Sequence, residues 1–279
     1  MKYYKLLRFP DFKLKALTLS YDDGIRADVK LTEILSENGI KVTFNLNSGL
    51  LAPHDGEHRL SENEAKKLYD LKNFEVALHG ERHLSLAEVS EDVAVRDIAN
   101  DRQNLERVFG GIIKGMAYAN GSYNDSVVEI LKKCGIKYAR TTKSTHNFDL
   151  PEDWLRLCPT CHHNDTELMN LADKFINFKD DLYFWANSPK LFYLWGHSYE
   201  FDNNSNWEII EKFAQKVGGK DDIWYATNGE IYDYVQAYNR LEYSINGETI
   251  FNPSVITVYL YYYGKRVSIK GGETVVVEL

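Results

Sequence analysis

A chain of 279 residues with 44% hydrophobic content can bury a sizeable core, which excludes a peptide-sized module and fits one large α/β domain with or without a small appendage. Its 33 basic and 41 acidic residues leave a net charge of −8, so the basic footprint that nucleic acid or an anionic membrane surface requires is missing. Aromatic residues reach 13%, with 19 Tyr and 5 Trp, whose flat faces and polar edges suit sugar rings as well as ordinary cores.

The N-terminal stretch M-K-Y-Y-K-L-L-R-F-P-D-F-K has no apolar h-region and no small-residue cleavage site. No apolar run approaches the length of a membrane span. Three cysteines, Cys134, Cys158 and Cys161, make no disulfide framework, so a reduced, cytoplasmic chain is the default expectation.

From residue 16 to about 240, short β-like runs alternate with helical stretches, which predicts a parallel α/β sheet or barrel. The first strand is expected over Ala16–Tyr21. A helix follows, with Ala27, Leu31, Ile34 and Leu35 on one face and Asn38-Gly39 as its stop. Further strands are expected over Lys41–Leu46, Phe74–Leu78, Tyr138–Thr142, Lys190–Trp195 and Asp222–Ala226. Helices are expected over Glu91–Phe109, over Ser126–Cys134 and from Gly229 through Tyr238. After about residue 240 the pattern changes to β-branched and aromatic residues between Gly turns. This divides the chain into a barrel domain over 1–240 and a small antiparallel β appendage over 241–279, expected to take no part in catalysis.

Residues able to do chemistry fall just after the strands. Asp22 and Asp23 end the first, and two neighbouring carboxylates repel unless a third partner, usually a metal ion, takes up the charge. His79 and His83 follow E-V-A-L at i and i+4, a spacing that lets both imidazoles reach one ion. His197 follows L-F-Y-L-W-G. In parallel α/β folds the C-terminal strand ends face one site, so these residues are expected to converge. Asp23, His79 and His83 would leave coordination positions open, the catalytic rather than the closed form of a zinc-type site.

S-Y-D-D-G, H-G-E-R-H and the strand-end His197 together resemble the polysaccharide deacetylase family, also called NodB-homology or carbohydrate esterase family 4 proteins. The resemblance implies a distorted (β/α) barrel with fewer strands than a full eight-fold one, here followed by the C-terminal antiparallel β appendage. It implies metal-dependent hydrolysis of an N- or O-linked acetyl group on a carbohydrate, with Asp22 as base, Asp23, His79 and His83 as metal ligands and His197 as acid. One divalent ion is implied; zinc is the default, and cobalt, nickel or manganese also accept these ligands. Such an ion brings the pKa of its water toward ~7, where a carboxylate can take the proton, and an imidazole suits protonation of the leaving amine.

The resemblance has departures. Ala117 and Ala119, in G-M-A-Y-A-N-G-S-Y, stand where the family has Arg and Pro, so Asp22 is expected to lack its cationic partner. The loop from Tyr118 to Gly121 still offers backbone N–H groups for an oxyanion, with Asn120 near the substrate. D-L-P-E-D-W matches the fourth family motif loosely, and Trp154 is expected to wall the pocket. Gly80 replaces the usual Ser or Thr after the first His. C-P-T-C-H-H, residues 158 to 163, formally matches a haem attachment motif and half a zinc site, but its expected role is a loop whose His162 or His163 lines the cleft. Two other functions fit the same residues: a carbohydrate-binding protein that has lost turnover, and hydrolysis of a non-sugar C–N bond.

Overall fold

The computed structural model describes residues 5–54, 58–71, 73–179 and 188–278. In chain order the elements are β1 (Lys5–Arg8), β2 (Lys15–Asp22), α1 (Asp28–Glu37), β3 (Val42–Leu46), α2 (Glu62–Tyr69), β4 (Phe74–Leu78), α3 (Glu91–Phe109), β5 (Gly115–Ala117), α4 (Asp125–Lys133), β6 (Tyr138–Arg140) and β7 (Cys161–His162). They continue with α5 (Leu168–Ile176), β8 (Lys190–Gly196), α6 (Tyr199–Asn204), α7 (Glu208–Val217), β9 (Ile223–Tyr225) and α8 (Asn228–Asn239). Five short strands follow: β10 (Glu242–Tyr243), β11 (Thr249–Phe251), β12 (Val258–Tyr262), β13 (Lys265–Ile269) and β14 (Thr274–Val276). Residues 1–4, the start of the stretch read for an export signal, lie outside the described residues. Among the described residues no helix is long and apolar enough to cross a membrane.

In β2 the side chains alternate. Leu17, Leu19 and Tyr21 join an apolar core with Leu31 and Leu35 of α1 and Phe213 of α7. The opposite face is polar: Thr18 bonds Asn228, Ser20 bonds Tyr193, and Asp22 accepts from Asn45. This period-two division makes a sheet coated outside by helices and lined inside by hydrogen-bonding groups. The sheet is parallel throughout, in the order β6-β5-β4-β3-β2-β8-β7, with β9 pairing the first residues of β2. It curls until its edges approach. Leu157 bonds Ala139 and Thr141 at one edge, while Thr160 bonds Tyr193 and Cys161 pairs with β8 at the other. The expected distorted (β/α) barrel is therefore present.

The antiparallel segment forms two three-stranded sheets, β1-β12-β13 and β10-β11-β14. One of them recruits the N-terminus, which the sequence pattern alone did not suggest. β1 pairs with β12 over Lys5–Arg8, and the Tyr234 hydroxyl of α8 donates to Arg8 O while accepting from Tyr259 N. The segment is thereby stitched to the barrel floor, where Leu7, Phe9 and Tyr234 pack with Tyr193.

Asp28, at the start of α1, ties three connections together. Its carboxylate accepts from the Ser198 hydroxyl, the Tyr69 hydroxyl and the Ile25 N–H, and it is fully buried. Burial pushes its pKa up to about 7 against those three hydrogen bonds, with Asp23 adding to the rise. A carboxyl whose folded pKa lies above its unfolded value of ~3.9 holds its proton longer when folded. Its stabilising contribution is complete below about pH 4 and is lost as pH rises toward 7. Asp28→Asn is therefore expected to gain melting temperature relative to the parent between pH 4 and pH 8. A pH-independent difference would show that Asp28 is not protonated in the fold.

Candidate active site

The parallel register brings the strand ends level. Asp22 stands beside Asn45, Ala117 beside Arg140, and His162 beside Trp195, while His79 follows the last residue of β4. Asp23 and His83 both have positive φ, 86° and 57°. For non-Gly residues this region costs on the order of 1–3 kcal/mol and collects at functional sites. Asp23 is held there by its N–H to Asn45 O and by the Arg59 guanidinium on its carbonyl.

Asp23, His79 and His83 present ligand atoms that all lie within 4.8 Å of one another. Asp23 Oδ1 lies 3.9 Å from His79 Nε2 and 3.6 Å from His83 Nε2. The His79 Nδ1–H donates to Ala117 O at 2.9 Å, which fixes the tautomer with the Nε2 lone pair facing the cluster. Asp23 Oδ1 and His79 Nε2 are buried without a hydrogen-bond partner. Buried polar atoms are rarely left so. The residues thus fit a divalent ion by donor type, spacing and two orphaned atoms aimed at one point. Gly80 is explained by the same loop: a Cβ there would come 2.5 Å from Asp97 Oδ2, whose partner oxygen accepts the Arg82 N–H.

The expectation that Asp22 lacks a cation is overturned. Arg140 reaches across from β6, one strand over from Ala117, and pairs with Asp22 Oδ2; both side chains are almost fully buried. The guanidinium is stacked on Trp195, 4.1 Å from the ring centroid. Burial would raise Asp22, but Arg140, His79, His197 and the Asn45 hydrogen bond outweigh it and hold the carboxyl at about 2. It is ionised throughout the physiological range.

His197 Nε2 faces Asp22 Oδ2 at 3.8 Å, and its Nδ1–H donates to Glu200 Oε1 at 2.8 Å. Burial disfavours the imidazolium, yet the Glu200 hydrogen bond and the Asp22 and Asp23 charges raise its pKa overall. Glu200, despite desolvation, is held well below the usual carboxylate range by His163, His197 and His162. Burial conversely lowers His162 to about 4 and also lowers His163.

The remaining sequence candidates fall in different places. His162 packs edge-on to Trp195 at 4.6 Å and lies 6.3 Å from His197, ring to ring, so it borders the site. Asn120, exposed and with φ 56°, donates to Ser85 in the loop that follows His83. The Tyr118 ring is buried, with its hydroxyl on Leu155 O, and its N–H is taken by Arg140 O; the Gly121 N–H is taken by Tyr118 O. Trp154 packs edge-on to Tyr232 in the apolar cluster under the barrel, and Asp153 caps that turn and pairs with Arg156.

Sequence reasoning passed over Arg140, Glu200 and Asn45. A charge inside an expected buried strand flags Arg140, and the i, i+3 spacing from His197 flags Glu200. Beside Asp23 a groove of about 890 Å³ opens, lined by Arg26, Lys30, Arg59, Tyr199, Asp202 and Trp207 among others.

Two solved structures, from Mycobacterium smegmatis and Bacillus anthracis, share the fold. A polysaccharide deacetylase from Bacillus cereus is 24% identical over 50% of this chain, with a TM-score of 0.43, and this chain spans 44% of its length. A Mycobacterium smegmatis protein assigned to the polysaccharide deacetylases matches 86% of this chain and 96% of its own, at 16% identity and a TM-score of 0.58. A carbohydrate esterase family 4 pseudoenzyme from Bacillus anthracis matches 82% of this chain and 68% of its own, at 15% identity and a TM-score of 0.50. A search of curated proteins gave no match. The family model for polysaccharide deacetylases matches residues 10–139, which include Asp22, Asp23, His79 and His83; Arg140, His162, His197 and Glu200 lie beyond it. Over residues 10–139, just under half of its length, this chain is similar to the polysaccharide deacetylase family.

Proposed function

We propose that this protein is a metal-dependent hydrolase that removes acetyl groups from a carbohydrate. The observation that carries the reading is the meeting, at the strand ends, of a three-ligand cluster with the Asp22 carboxylate, 3.7 Å from His79 Nε2, and the His197 imidazole, 3.8 Å from that carboxylate. Asp23, His79 and His83 would hold the divalent ion. When bound, such an ion supplies Lewis acidity toward an acyl oxygen and acidifies water.

The chain's own groups do the rest. Asp22 is fixed by Asn45 on Oδ1 and Arg140 on Oδ2, so its carboxylate stays ionised and oriented to accept a proton. His197, with its Nδ1–H held by Glu200 and its imidazolium form favoured by the neighbouring carboxylates, presents Nε2 toward the same space and gives its Nε2 proton to the departing amine or alcohol. Tyr199 and Trp207 offer aromatic faces along the adjoining groove, where sugar rings stack. Asn120, on the loop bonded to Ser85, and His162, 6.3 Å from the His197 ring, are further substrate contacts in this reading.

The test is acetate release from a panel of N- and O-acetylated oligosaccharides. The parent is expected to release acetate, to lose this on chelation and to recover it with zinc or cobalt, whereas His83→Ala is expected to lose at least ~10²-fold and not recover. No acetate from any substrate by the metal-loaded parent would overturn the hydrolase reading in favour of a binding protein.

A further inference from the structure

C-P-T-C-H-H does not use its thiols as ligands. Cys158 Sγ hydrogen-bonds with Thr141 Oγ1 and Arg156 O, and Cys161 is buried in the apolar core. The two histidines instead converge on Glu200. His163 is fully buried and stacked on Phe201, with ring centroids 4.1 Å apart. It fits because position 196 is Gly, where a Cβ would come 1.9 Å from His163 Nδ1. His163 Nε2 lies 3.0 Å and His162 Nε2 3.5 Å from the same oxygen, Glu200 Oε2.

Two observations separate this cluster from an ordinary ion pair. Neither nitrogen of His163 has an aligned hydrogen-bond partner although both are buried, the signature that Asp23 Oδ1 and His79 Nε2 carry at the first cluster. The three donor atoms also lie within 4.8 Å of one another. Around a tetrahedral ion with bonds of ~2.0–2.1 Å, ligand atoms stand about 3.3–3.4 Å apart, close to the 3.0 and 3.5 Å spacings here.

We propose that His162, His163 and Glu200 form a second site for a divalent transition-metal ion, zinc as the reference case. His162 is its weakest donor. Its Nδ1 accepts the Asn164 N–H at 3.1 Å, which leaves the ring proton on Nε2, so ligation moves that proton at the expense of this hydrogen bond. Glu200 joins the site to the first one, because Oε1 remains on His197 Nδ1 while Oε2 meets the ion.

Metal-stripped, untagged chain is titrated with zinc chloride by calorimetry, and bound zinc is counted after dialysis, for the parent, His83→Ala, His163→Gln and His162→Gln. Two zinc ions in the parent and one in each variant are the expected result. One ion in the parent, lost in His83→Ala and kept in His163→Gln and His162→Gln, would overturn the second site and leave the first. One ion kept in His83→Ala and lost in His162→Gln would support the second site and overturn the first. No zinc in any chain would overturn both. If buried His163→Gln does not fold, His162→Gln, on a ring that is partly exposed, decides the outcome.

Discussion

Asp22→Asn is expected to reduce acetate release by about 10²–10⁴-fold, the usual worth of a positioned proton acceptor. Metal content should stay near the parent's, because Asp23, His79 and His83 are untouched. The measurement is kcat/KM beside bound metal on the same preparation. Equal turnover in parent and variant would show that another group takes the proton. Asparagine keeps the shape of the side chain, but only one of its two terminal atoms can accept, so either Asn45 or Arg140 loses a partner.

Arg140→Met carries the second large effect, this time on stability. Met approximates the length of the arginine stem yet leaves Asp22 as a buried carboxylate without a counter-charge. Breaking one side of a buried pair costs about 3–5 kcal/mol. The Trp195 face also loses its cation, a further loss of up to ~2 kcal/mol where the pair is desolvated. Unfolding in denaturant should show this drop. In the double variant Asp22→Asn with Arg140→Met the loss should be smaller than the sum of the singles, because neither charge is left alone. Strict additivity would show that the guanidinium and the carboxylate do not act as a pair.

These effects were only partly legible in the residues. β4 and α3 span the residues that their patterns predicted, since a strand or helix of ordinary length carries its own period. β5 and β7, of three and two residues, are too short to show one, and their place comes from the neighbours they pair with. α2 was missed although Ser61 and Glu64 form a capping box that the sequence displays. The i, i+4 histidines and the paired aspartates were readable as metal-ligand spacing, although the turn that brings His79 and His83 together is not helical: Gly80 and His83 both have positive φ.

Arg140 was not readable in that way. Its meeting with Asp22 joins residues 118 positions apart, and it depends on a ladder that sets Arg140 beside Ala117 and on a barrel that turns both inner faces toward one axis. The convergence of His162 and His163 on Glu200 is of the same kind, needing β7 beside β8 and a glycine at 196 to admit the ring. The sequence by itself determined the longer strands and helices of the barrel, that the strand ends bear the chemistry, and which residues could share a first ion. The tertiary structure alone decided which charge answers Asp22 and which carboxylate orients His197, because local pattern constrains only neighbours in sequence, whereas electrostatic partnership in a buried site depends on distances set by strand register and sheet closure.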